Sequence, residues 1–264
     1  MRVMGPGHFL FAAGIAGLGL LSLISGDFAY TWQPVPSGVP HRELLARASG
    51  ILMMAGGMGM LVKRTAVPMA LAMTIYLLSW VFLLQAPRAA RAPGDVGAWL
   101  GVGESVVLMC GGWILFASLS AQEGRLRIPF VSGPGGIRLA RFLFGASCLV
   151  LGLSHFVYTE GTSSMVPSWL PYHVGLAYLT GTGHFAAGAA ILLGILPCAA
   201  ATLEAIMISL FVILIHIPGV FASPRGRLEW TMLFVASALA GSAWAVAWSL
   251  RGAPWRFARR SAGA

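Results

Sequence analysis

Residues Ala199–Ile215, AAATLEAIMISLFVILI, carry one charged side chain, Glu204, in a run otherwise free of charge and bracketed by Pro197 and Pro218. A helix rises about 1.5 Å per residue, so a run of this kind crosses most of the roughly 30 Å hydrocarbon core of a bilayer. Backbone N–H and C=O groups find no water there, so the segment must satisfy them internally as a helix. Seven further stretches read the same way: His8–Ile24, Leu44–Leu61, Val67–Leu84, Ala98–Leu119, Leu139–Val157, Val174–Leu196 and Trp230–Leu250. Pro and Gly clusters punctuate the gaps between them. The composition agrees, with 58% hydrophobic and 9% charged residues and a mean hydropathy of +0.81. The sequence predicts an all-α integral membrane protein with eight transmembrane helices. The first stretch follows Arg2 but has no clear small-x-small cleavage site before Asp27, so it is read as a retained span.

The chain repeats itself. At a shift of about 131 residues, Val35-Pro36-Ser37-Gly38-Val39-Pro40 falls on Val166-Pro167-Ser168-Trp169-Leu170-Pro171. The same shift pairs Gly50 with Gly181, Gly57 with Gly188, Pro87 with Pro218, Trp99 with Trp230 and Trp113 with Trp244. Over about 84 ungapped columns there are roughly 20 identities, against roughly 8 expected from composition. Upstream, a small gap brings Asp27-Phe28-Ala29-Tyr30 onto His155-Phe156-Val157-Tyr158, the second copy carrying the extra Glu160–Met165 region. Four helices per copy is an even number, so both copies enter the membrane in the same sense and form two parallel four-helix bundles. Residues 1–124 are the first repeat, 125–138 a Gly/Pro-rich cytoplasmic linker, and 139–264 the second repeat with a basic tail. The spacing of Gly50 to Gly57 and of Gly181 to Gly188 puts each pair two turns apart on one helix face, where backbones can approach closely.

The net charge of +9 is not a nucleic-acid signature, because the basic residues sit in connections rather than on one amphipathic face. Arg2, Lys63, Arg64, Arg125, Arg127, Arg138, Arg141, Arg251, Arg256, Arg259 and Arg260 fall on one side. Arg42, Arg47, Arg88, Arg91, Arg225 and Arg227 fall on the other, so the positive-inside rule places both termini in the cytoplasm and the protein in the cell (inner) membrane. Cys110, Cys148 and Cys198 form no C-x-x-C or zinc-spaced set and read as small buried hydrophobes.

His155-Phe156, Val166-Pro167-Ser168-Trp169-Leu170-Pro171 and Tyr178-Leu179-Thr180-Gly181-Thr182-Gly183-His184-Phe185-Ala186-Ala187-Gly188 together resemble the DoxX/DoxD-like family of membrane proteins. The first half carries a degenerate version, with Gly38 for Trp169 and Asp27 for His155. The resemblance implies a four-helix membrane unit, here duplicated in tandem, and an association in some members with sulfur or thiol redox systems and quinone. It departs from the family at His184, where an acidic residue is more usual.

An ionisable side chain inside the bilayer costs at least about 2.5–3.5 kcal/mol, so each needs a partner or a purpose. Glu104, His155, His184, Glu204 and His216 are the candidates. His184 lies about 13 residues inward from Pro171 and Glu204 about 14 from Pro218, which puts both near mid-membrane on antiparallel neighbours. Their pairing is a register-fixing clasp on one reading and a proton-transfer or ligand-binding pair on the other. His155, His216 and Glu104 lie nearer the outer face, where they suit a lipid or quinone headgroup, a transition metal, or an interfacial role. Trp169, between Pro167 and Pro171, is either a lid over the outer mouth or an aromatic-belt anchor, and Trp32 and the other tryptophans read as anchors or packing. At the shift above, His184, Glu204 and His216 fall on Met53, Met73 and Gln85, so polar chemistry concentrates in the second copy. Glu104, opposite Val235, is the exception.

Phosphate-binding Gly-Lys loops, Gly-x-Ser-x-Gly elbows and His-Glu-x-x-His helices are missing from the sequence. The expectation is a subunit that binds a small lipophile, with quinone as the candidate cofactor, and serves a redox partner, at most as the accessory subunit of a membrane oxidoreductase. A proton-coupled small-solute transporter and a structural scaffold are the alternatives, and the bilayer is the one partner the sequence requires. Binding is expected at Glu104, His155, Trp169, His184, Glu204 and His216.

Overall fold

The computed structural model describes residues 5–124 and 126–252, which are helical with no strand among them. In order they form α1 (Pro6–Ser25), α2 (Arg42–Met60), α3 (Ala66–Ser79), α4 (Ala86–Arg91), α5 (Val96–Glu123), α6 (Pro134–Val157), α7 (Thr159–Ser164), α8 (His173–Leu193), α9 (Pro197–Phe211), α10 (Ile217–Ala222) and α11 (Arg227–Ser249). Short π-helical segments, Trp80–Gln85 and Val212–His216, fuse α3 to α4 and α9 to α10. Seven of the resulting rods are long and apolar enough to cross a membrane: α1, α3 through α4, α5, α6, α8, α9 through α10, and α11. Helix α2 stands where an eighth span is expected, but its first turns carry Arg42, Glu43 and Arg47 and it falls short of that apolarity. Of the arginines assigned to the cytoplasmic side, Arg2, Arg125, Arg256, Arg259 and Arg260 lie outside the described residues, as does the basic tail.

Several ends differ from the sequence reading for local reasons. Helix α6 begins at Pro134, so the last residues of the expected linker, through Arg138, are helical. Proline is pre-set for the first helical position, and Gly133 enters it in an extended conformation, which offsets the poor propensity of Gly135 and Gly136. The α3–α4 and α9–α10 rods run past Pro87 and Pro218, beyond the expected ends at Leu84 and Ile215. A proline ring ordinarily clashes with the carbonyl four residues earlier. Here the preceding backbone has widened to i→i+5 bonding, seen in Ala86 N–H donating to the Val81 carbonyl and Ile217 N–H to that of Val212, and the helix continues.

Local geometry recurs at the sequence offset of about 131 residues. Both π segments end on paired positions, Gln85 and His216. His41 and Tyr172, which open α2 and α8, both take left-handed backbone at φ 52° and 57°. The Trp99 indole donates to the Pro93 carbonyl at 2.9 Å, and that of Trp230 to Pro224 at 2.8 Å.

The helices do not pack as two self-contained bundles side by side. Helix α1 runs along α2 and along α11, the last helix of the other half, while α6 runs along α8 and along α5. Helices α5 and α11 pack together between them, so each half closes its core with a helix of the other. Small residues permit the crossing: a Cβ on Gly7 would meet the Gly241 carbonyl oxygen at 3.0 Å, and one on Gly14 would meet Ala238 Cβ at 2.8 Å. The paired glycines act as their spacing predicts. A Cβ on Gly57 would meet the Ala12 carbonyl oxygen at 2.5 Å, and one on Gly188 that of Gly145 at 2.5 Å.

Polar ties also join the halves. Asp27 Oδ2 accepts from Arg227 at 3.2 Å while Oδ1 accepts from Arg42, and Arg227 also donates to the Phe28 carbonyl at 2.5 Å. Burial opposes ionisation of Asp27, yet the Phe28 N–H and the two guanidinium groups outweigh it and hold its carboxyl below the usual carboxylate range. Asp95 caps α5 by accepting from Gly97 N–H at 2.8 Å and also accepts from the Tyr158 hydroxyl at 3.0 Å.

Candidate functional site

Helices α5, α6, α8, α9 and α11 line a half-open cavity of about 400 Å³ at the end of the molecule where α6 turns through α7 into α8. Glu104, His155, His184 and His216 all line it, in walls otherwise built of residues such as Leu151, Met207, Phe211 and Leu239. Four of the six residues selected from sequence therefore converge on one space. Such a volume, with apolar walls and a few polar groups, is that of a small-molecule site.

Glu204 lies behind this wall. Its Oε1 stands 2.6 Å from His184 Nδ1, and both residues are buried, at 1% and 2% exposure. The Cys148 thiol donates to the same oxygen at 3.7 Å, while Oε2 has no hydrogen-bond partner among the described residues. Cys148, read as a small hydrophobe, is thus also a weak polar contact of the pair. The carboxylate fixes the orientation and tautomer of His184, leaving Nε2 as the ring's remaining polar atom. His155 stands beside it, with ring centroids 4.9 Å apart, and its Nδ1 lies 2.9 Å from the Leu151 carbonyl oxygen. Phe211 packs on both rings, at 6.3 Å from His155 and 5.9 Å from His184.

Glu104 belongs to the first half by sequence, but the exchange of helices turns α5 toward α6 and the second half. Its sequence counterpart Val235, on α11, lines the same cavity, so the exception to the polar bias is resolved by packing. Trp32 completes this wall, and its buried indole N–H makes no hydrogen bond among the described residues. The sequence reading had Trp32 as an anchor. Its position arises from a loop folding across the half boundary, for which no periodic signal exists. Trp113 and Trp244 do serve packing, donating to the Val131 carbonyl at 2.7 Å and to Ser209 Oγ at 3.1 Å. Trp169 is 68% exposed and stands outside the cavity lining.

The corresponding region of the first half is filled. Gln33, 4% exposed, donates to Ser49 Oγ at 3.1 Å and to the Tyr76 hydroxyl at 2.9 Å, and its Oε1 accepts from Ala29 N–H at 2.9 Å. Gln85 donates to the Trp32 carbonyl at 2.9 Å. At the repeat offset, Ser49, Tyr76 and Gln85 correspond to Thr180, Met207 and His216, all of which line the cavity of the second half. In the first half Gln33, Ser49 and Tyr76 bond to one another, with Gln85 Oε1 left unpaired among the described residues, while the corresponding positions of the second half face open space. Among the described residues, no three His, Cys, Asp or Glu side chains are grouped closely enough to hold a metal ion. Comparison with protein families, with curated proteins and with solved structures returns no match.

Proposed function

We propose that this chain is a DoxX/DoxD-like protein of the cell membrane, with eight spans in two tandem four-helix repeats and both termini cytoplasmic, whose second half binds a small lipophilic molecule in the outer half of the bilayer. The repeat is supported by the recurring π segments, left-handed helix entries and Trp–Pro hydrogen bonds, and the orientation by the distribution of arginines. Helix α2 serves as the eighth span because its charged residues cluster in the first turns, at the interface.

One observation carries the functional reading: three histidines and a carboxylate converge on a single apolar cavity whose counterpart in the first half is plugged. Uncompensated polar groups in a membrane interior are costly, and an occupant that satisfies them accounts for their arrangement. A ring-bearing lipophile with a polar head, quinone being the class that the family resemblance implies, would place its head among His155, His184 and Glu104. Its tail would lie against Met207, Phe211 and Leu214. With Glu204 holding His184 from behind, the site can orient a headgroup and, where that head carries O–H as a reduced quinol does, accept a hydrogen bond or a proton from it. This suits an accessory subunit that presents a lipophile to a membrane redox partner.

Native mass spectrometry of the mildly solubilised protein tests the reading. The wild type should retain a discrete small molecule that the double variant His155→Ala/His216→Ala has lost. Bulk lipid alone on both forms would refute it.

A further inference from the structure

We infer that the occupant of this cavity is a hydrogen-bond donor, a lipophilic phenol or alcohol, because most of the polar groups lining the cavity have already spent their own hydrogens on the protein. The inference rests on the binding reading above and specifies its ligand.

The hydroxyls show this first. Ser154 Oγ donates to the Leu151 carbonyl at 2.7 Å, Thr162 Oγ1 to that of Tyr158 at 3.1 Å, and Thr180 Oγ1 to that of Leu176 at 2.9 Å. A carbonyl oxygen only accepts, so the single hydrogen of each hydroxyl is committed and lone pairs are what remains for the cavity. The same reasoning fixes His155. Its Nδ1 contacts the Leu151 carbonyl, so Nδ1 bears the proton and Nε2 of the neutral ring is bare. In neutral His184, Nδ1–H donates to Glu204 Oε1, an oxygen that also receives the Cys148 thiol, and Nε2 is again bare. Glu104 adds carboxyl oxygens, while the Trp32 indole N–H, unpaired among the described residues, is one hydrogen the lining still offers. His216 makes no hydrogen bond among the described residues and is left to present either ring nitrogen.

The lining therefore offers more acceptors than hydrogens, the Trp32 indole and one His216 nitrogen being its remaining donors. A ligand whose head can only accept, such as a ketone, an ether or an ester, leaves those lone pairs unsatisfied and desolvated. A ligand bearing O–H supplies the missing hydrogen, with His155 Nε2 and the Thr180 hydroxyl oxygen among the acceptors available to it. The first half illustrates the rule, since its plug, Gln33, meets Ser49 and Tyr76 through its N–H₂ group.

Binding of matched probes by the full-length protein in lipid nanodiscs tests this. 4-Nonylphenol and 4-nonylanisole differ by one methyl on the oxygen, which removes the donor and keeps the shape and apolar tail. The wild type should bind the phenol about tenfold more tightly, the worth of one hydrogen bond to an otherwise unsatisfied buried acceptor. His155→Phe should narrow that ratio while binding of the anisole persists, and Thr180→Val, which removes an acceptor with little change of volume, should narrow it as well. Equal affinities for the two probes in the wild type would overturn the donor inference and leave the cavity as a lipophile site. Binding of neither probe would overturn both.

Discussion

Exchanging the buried pair for the residues that the first half carries at the same positions separates its structural role from its chemical one. His184 corresponds to Met53 and Glu204 to Met73, and both methionines are fully buried. His184→Met alone takes from Glu204 its nearest partner, at 2.6 Å, and leaves the Cys148 thiol as the remaining donor to a carboxylate whose Oε2 is already unpaired. Leaving a buried carboxylate without its partner costs about 3–5 kcal/mol. Glu204→Met alone strands a neutral imidazole N–H, at about 1–3 kcal/mol. The double exchange removes both polar groups and fills the space with thioethers of similar volume, so its cost should be about 1 kcal/mol. Single costs summing to at least about 4 kcal/mol against a double cost near 1 give a coupling of about 3 kcal/mol or more. Reversible unfolding in mixed micelles, followed by helical circular dichroism, measures all four corners of the cycle. The double variant should fold and yet lose the retained small molecule, because His184 Nε2 is gone. Additive single costs would refute the pairing, and undiminished retention by the double variant would refute its part in binding.

Other consequences follow from particular contacts. Gly188→Ala should destabilise by about 1–3 kcal/mol in the same assay, since the new methyl meets the Gly145 carbonyl oxygen at 2.5 Å and backbone cannot yield readily. Asp27→Asn should lower the unfolding midpoint by loosening Arg42 and Arg227, and the wild type should show the same loss in acid. Because the Asp27 carboxyl titrates below its ordinary 3.8 in the folded protein, its contribution is intact above about pH 4 and disappears as pH falls below that value. A wild-type stability profile that is flat from pH 5 to 2.5 would contradict this. Trp169→Ala should leave ligand retention unchanged, whereas Trp32→Ala should reduce it, as native mass spectra would show. Cysteines introduced one at a time at Ser132 and Gly135 should be labelled from the cytoplasmic side only; labelling from outside would invert the topology.

Much of this was legible in the sequence because lipid imposes so narrow a set of solutions. Apolar runs of the required length located the rods, and equal depth along antiparallel neighbours was enough to bring His184 to Glu204. At the internal shift, His184, Glu204 and His216 stand against Met53, Met73 and Gln85, which marked the second half as the polar one. What the sequence concealed lay across the half boundary. The exchange of α1 and α6 depends on small-residue faces meeting in three dimensions, and glycines offer the same face to any partner. That exchange is why Glu104, assigned to the first repeat, serves a cavity of the second, and why Trp32 lies in its wall. The π segments were hidden because Pro87 and Pro218 punctuate a helix unless the preceding turn widens, and composition carries no trace of the widening. Ser154, Thr162 and Thr180 were passed over because a hydroxyl in a membrane helix ordinarily bonds its own backbone. They do so here, and that is what leaves their lone pairs to the cavity.

The most direct test of the central claim is the electron density of the protein crystallised from a lipidic mesophase after extraction that preserves bound small molecules. The account predicts a discrete non-protein feature between His155, His184 and Glu104, with its tail running toward Phe211. A cavity closed by collapse of these side chains onto one another, with lipid confined to the outer surface of the helices, would contradict it.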